Sequence, residues 1–146
     1  MRTIIYALLL TLTIGCTSEK TMEGTLVGIA EGIELTLPDG FQYRALQGID
    51  SNVGEIVDTN DDNFHIFIDI GFLAGSYVNQ DDNNVHSGRS INQDYIYQKR
   101  ESGYLDVENC CYFFTFLDIG PANFVVPDND RLDDAIAIIE SLDSNP

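Results

Sequence analysis

The chain has 146 residues, with 24 acidic against 7 basic side chains and a formal net charge of −17. A charge this negative weighs against nucleic-acid backbones and against adsorption onto anionic lipid headgroups, so no nucleic-acid partner is expected. There is no Walker loop, no Gly-x-Gly-x-x-Gly and no zinc-ligand spacing around the two histidines, so no cofactor is expected either.

The first element is an apolar run from Ile4 to Ile14 that follows Arg2 and ends at Gly15-Cys16. It is too short to span a bilayer, which takes about 20 residues. A basic start, an apolar core and a small residue before a cut are signal-peptide features. A Cys directly after Gly15 resembles the lipobox of bacterial lipoproteins, with Thr13 where those signals usually carry Leu. The resemblance implies that residues 1–15 are removed and that Cys16 is acylated as the new N-terminus. Residues 16–22 then form a lipidated Cys and polar tether, and residues 23–146 one globular domain. The mature chain would keep 6 basic against 24 acidic residues, a balance of −18.

Short β-like runs follow, punctuated by turns. Residues 23–30 have modest strand character. Ile33-Glu34-Leu35-Thr36-Leu37 alternates cleanly, Pro38-Asp39-Gly40 turns the chain, and residues 41–46 are expected to return as its partner strand. Residues 54–58 and 64–70 read as a hairpin, with Phe64, Ile66, Ile68 and Ile70 on one face and His65, Phe67 and Asp69 on the other. Residues 72–92 are the least regular and carry the Asn79–Asn84 polar loop. A second hairpin is expected around Ser102-Gly103, and residues 112–117, apolar on both faces, read as a central strand covered on both sides. Cys110 and Cys111 adjoin that run. Neighbouring strand side chains diverge, so two buried free thiols are expected.

One amphipathic helix closes the chain. It is expected from near Asp130 to near Leu142, capped by Asp130, with Asp133 and Asp134 in its first turn. Leu132, Ile136 and Ile139 give the apolar face, widened by Ala135 and Ile138. The fold class is α+β: an antiparallel sheet with the C-terminal helix packed on one face.

Three patterns carry candidate chemistry. Asp58, Asn60 and Asp62 fall at positions 1, 3 and 5 of a calcium loop, with Asp69 at position 12. The sixth position is Asn63 rather than Gly, and strand-like flanks would carry Asp69 away from the turn. Gly48-Ile49-Asp50-Ser51-Asn52-Val53-Gly54 places Ser beside Asp, as in the nucleophile block of lipase-like hydrolases, and His65 is the candidate base. Asp50, Glu55 and Asp69 are the candidates for a glycosidase-like acid pair. The bland alternative for each is a polar turn whose side chains bond to backbone amides.

Leu37-Pro38-Asp39-Gly40-Phe41, the strand pairs after it and the closing helix resemble the PsbP/Mog1-like class. The Gly48–Gly54 loop with Asp69-Ile70-Gly71 resembles small envelope lipoproteins of Bacteroidota. These resemblances imply a sheet with helical cover and an accessory or binding role, and bring no catalytic residue. The expectation is a lipid-anchored protein of the bacterial cell envelope, in the outer membrane, that binds an envelope protein or ligand without catalysis. The alternatives are a lipid-anchored hydrolase using Ser51 or an acid pair, and a divalent-cation-binding module.

Overall fold

The structure, a computed structural model, describes residues 22–48, 50–71, 78, 80, 83–100, 111–120, 122–127 and 130–144. The signal segment, Cys16 and most of its tether, Cys110 and the turn expected at Ser102-Gly103 lie outside the described residues.

The described chain is mostly antiparallel β-structure with a single short helix near its C-terminus. In order the elements are β1 (Thr25–Ala30), β2 (Ile33–Leu37), β3 (Phe41–Leu46), β4 (Asn52–Asp58), β5 (Asp61–Ile70), β6 (His86–Arg89), β7 (Asp94–Lys99), β8 (Tyr112–Phe116), β9 (Ala122–Val126), α1 (Leu132–Glu140) and β10 (Asp143–Ser144). They form two sheets, one ordered β1-β2-β10 and one ordered β3-β4-β5-β9-β8-β7-β6.

The alternating pattern of β5 does what its sequence requires. Phe64, Ile66, Ile68 and Ile70 are buried in the main core, while His65, Phe67 and Asp69 stand half-buried on the opposite face. β8 and β9 lie side by side inside the large sheet and are covered on both faces. Phe114, Phe116, Phe124 and Val126 join the main core. Phe113 and Val125 join a second, smaller cluster with Val78 and Cys111. The main core also takes Leu35 and Leu37 from β2 and Ala135, Ile138, Ile139 and Leu142 from the C-terminal segment, so both sheets and the helix share it.

The expected pairing of residues 33–37 with 41–46 is not formed. β2 is the middle strand of the small sheet, with β1 on one side and β10 on the other, so neither edge is left for β3. The Pro38-Asp39-Gly40 turn instead hands the chain to the large sheet, where β3 pairs with β4 from Phe41↔Asp58 to Leu46↔Val53. Phe41 N–H donates to Pro38 O at 3.1 Å across that turn. Gly40 sits at φ +91°, a conformation that favours glycine.

The helix begins at Leu132, and Asp130 does not cap it. Arg131 stands at the cap position and no side chain bonds to the first-turn amides. Asp133 and Asp134 do occupy the first turn, where the helix dipole favours them. The buried stripe is Ala135, Ile138 and Ile139 rather than Leu132, Ile136 and Ile139; Leu132 and Ile136 pack at its margin. Just past the helix, the Ser141 hydroxyl donates to Ile138 O at 2.6 Å and accepts the Thr36 amide at 2.9 Å, joining the end of α1 to β2.

The expectation of free thiols fails at Cys111, which is buried and disulfide-bonded. The strand argument does not reach it, because β8 starts only at Tyr112. The other two cysteines of the chain, Cys16 and Cys110, lie outside the described residues.

Candidate functional site

Among the described residues the two sheets each end in a strand with one unpaired side: β1 for the small sheet and β3 for the large one. A groove of about 560 Å³ runs between them. Gly28, Ile29 and Ala30 of β1 form one wall, and Tyr43, Ala45 and Leu46 of β3 form the other. Gln47, Gly48, Ser51, Asn52 and Val53 close it below.

The described residues of these walls are uncharged, small at Gly28, Ala30 and Ala45 and large at Tyr43 and Leu46. The Tyr43 ring lies over Gly54, where a Cβ would fall 2.3 Å from the ring, so a side chain there would displace the ring. The Tyr43 hydroxyl donates to Ile29 O across the groove at 3.4 Å. Burial pushes the Tyr43 phenol above its ordinary pKa, so it remains a neutral donor. Among the described residues no lining residue is charged, in a chain with 24 acids.

Of the residues singled out from the sequence, Ser51 lines this groove and packs beside Gly71. Asp50 is exposed on the bend before it. His65 is elsewhere. β4 and β5 pair from Asn52↔Ile70 to Val57↔His65, so His65 stands six residues along the ladder from Ser51. At about 3.3 Å per residue that is about 20 Å, far beyond the hydrogen-bond reach a nucleophile needs from its base. His65 is held locally: Nε2 lies 2.7 Å from Asp62 O, Nδ1 lies 3.5 Å from Glu55 Oε2, and the ring stacks on Phe67. Glu55 also lies 3.6 Å from Arg44 Nη1.

Asp69 stands opposite Val53 in β4 and opposite Asn123 in β9. Asn123 in turn faces Thr115 in β8, whose hydroxyl donates to Asn123 Oδ1 at 2.7 Å. Both are buried. This polar row across three strands was not visible in the sequence, because Thr115 and Asn123 sit inside apolar runs and only the register brings them together. Asp69 and Glu55 are diagonal neighbours on the same face, but Glu55 is engaged by Arg44 and His65.

The candidate calcium ligands do not converge. Asp58 Oδ1 accepts the Asn60 amide at 2.8 Å, a local turn bond. Asp58 Oδ2 accepts from Arg131 Nη1 at 2.8 Å, and the same nitrogen lies 3.2 Å from Asp61 Oδ2. The Arg131 Nε–H donates to Asp134 Oδ2 at 2.8 Å, and its guanidinium stacks 4.4 Å from the Phe64 ring centroid. A guanidinium thus supplies the positive charge at this turn. Asp69 lies about 25 Å beyond Asp61 along β5 at about 3.3 Å per residue. Among the described residues no three His, Cys, Asp or Glu side chains gather as a metal cage.

No protein-family model, curated protein or solved structure significantly matches the chain.

Proposed function

We propose that this chain is a lipid-anchored protein of the bacterial cell envelope with a non-enzymatic binding role, and that the groove between β1 and β3 is its binding site. The observation that carries the binding role is the groove itself: an open, uncharged cleft between two strand edges in a strongly acidic chain. The separation of Ser51 from His65 removes the proposed nucleophile–base pair of the hydrolase alternative. The lipobox-like Gly15-Cys16 supports the anchor, and the resemblance to small Bacteroidota lipoproteins supports the envelope location. In this reading the C-terminal helix, packed on one face of the sheet, is structural.

The anchor is tested by labelling cells with a radioactive or clickable fatty acid. The wild-type chain should carry the label and fractionate with membranes. Cys16→Ser should lose the label and accumulate uncleaved or soluble. Normal acylation of the Cys16→Ser chain would overturn the anchor.

A further inference from the structure

The free edge of β3 has a definite backbone pattern. In an antiparallel pair, residues alternate between pairs that exchange backbone hydrogen bonds and pairs that exchange none. Thr59 N–H donates to Gly40 O at 2.8 Å. On the register that continues as Gln42↔Val57 and Arg44↔Glu55, those are the bonded pairs. Phe41, Tyr43 and Ala45 therefore turn their N–H and C=O groups away from β4. Phe41 N–H is met by Pro38 O. Tyr43 and Ala45 keep outward backbone groups with no strand beyond them among the described residues, and both residues line the groove.

Edge strands are usually guarded by charge, proline or cover. β1, on the far wall, has no charged residue, and its Leu26 is 59% exposed. Leu46 at the end of β3 is 44% exposed. Above Gly28 a Cβ would meet nothing within 4 Å, so the wall is open there. Charge sets the rest of the partner. The groove is neutral, but exposed Glu31 follows Ala30 and exposed Asp50 precedes Ser51 at its margins.

We propose that this groove takes an extended polypeptide segment, neutral and apolar in its middle and basic at its ends, which adds to β3 as a further strand through the backbone groups of Tyr43 and Ala45. The inference rests on the binding reading above. A neutral middle meets the uncharged lining without stranding a charge, and basic ends meet the marginal acids. A second copy of this chain is the disfavoured occupant, since two surfaces of net charge −17 repel.

The test uses the full-length chain in neutral detergent micelles and a fluorescent peptide with an alternating Val/Thr middle and Lys at both ends. Anisotropy should show saturable binding. The same peptide with N-methylated middle amides should bind about tenfold or more weakly, since two backbone bonds are lost. A peptide with Glu at its ends should also bind more weakly. Ala45→Pro removes the outward N–H of an edge strand without touching the β4 ladder, and should abolish binding with the melting temperature little changed. Should that variant unfold, Ala45→Arg at the same exposed site serves, placing a bulky positive charge in the groove. The inference is overturned by absence of saturable binding, by equal affinity for the N-methylated or Glu-ended peptide, or by a concentration-dependent dimer that the peptide does not dissociate. Peptide failure with Cys16 acylated overturns this inference alone, whereas loss of acylation with peptide binding intact overturns the anchor alone.

Discussion

Arg131 does for the β4–β5 turn what a bound cation would have done. It holds Asp58, Asp61 and Asp134 around one guanidinium, against the Phe64 ring. The Asn60 amide and then Arg131 hold the Asp58 carboxyl below the ordinary carboxylate range, and the Asn63 amide and then Arg131 do the same for Asp61. A carboxyl with a lowered folded pKa stabilises the fold above its unfolded pKa and loses that contribution as pH falls through the folded value. Wild-type stability should therefore decline as pH falls below the ordinary aspartate value of about 4. Arg131→Met should lower the urea midpoint at neutral pH and flatten that acid limb in part, since the Asn60 and Asn63 amides remain, as urea melts across the pH series will read. An acid limb of unchanged steepness would contradict the clamp. At the Thr115–Asn123 pair, Thr115→Val removes a donor from a buried acceptor and should cost about 1–3 kcal/mol. Cys111 should resist alkylation in the unfolded protein until a reductant is added. Asp69 stood out in the sequence as a candidate calcium ligand and acid-pair member. Its neighbours Asn123 and Thr115 did not, because a cross-strand row is a property of register, which the local pattern does not carry.

The helix supplies the sharpest comparison between elements. Ile138 and Ile139 are fully buried, whereas Ile136 lies at the core margin. Ile138→Ala and Ile139→Ala should each cost about 2–5 kcal/mol in urea melts, and Ile136→Ala clearly less. A larger loss at Ile136 would mean that the apolar face turns the other way. The apolar positions of α1 span more than one stripe, so periodicity located the helix but left its rotation open by one position. The strands divide similarly. β2 and β5 were legible because alternation reports which face is buried, and β3 because a turn precedes it. The partner of β2 was not legible, because a Pro-Asp-Gly turn serves a hairpin and a change of sheet equally well. β6 carries the sequence His86-Ser87-Gly88-Arg89, without an apolar residue, and only its pairing with β7 makes it a strand.

At the scale of the molecule, the two sheets and the helix share a core, and short polar ties pin the sheets together. Asn92 donates to Asp143 Oδ1 at 2.8 Å and to Ser144 O at 2.7 Å, and Gln93 donates to Ser144 Oγ at 2.7 Å. These bonds fasten β10 to the β6–β7 turn, while among the described residues β1 and β3 have no strand paired along the groove. The Gly-framed loop that closes the groove was legible as a distinctive turn. The groove was not, since its walls come from two sheets whose edges meet only in the assembled topology. The account turns on the outward backbone of β3, and amide hydrogen exchange of the full-length chain in micelles reads it residue by residue. Tyr43 and Ala45 should exchange fast and Gln42 and Arg44 slowly in the free protein, and saturating Lys-ended peptide should slow Tyr43 and Ala45. Tyr43 and Ala45 amides already protected without peptide, or still fast at saturation, would contradict it.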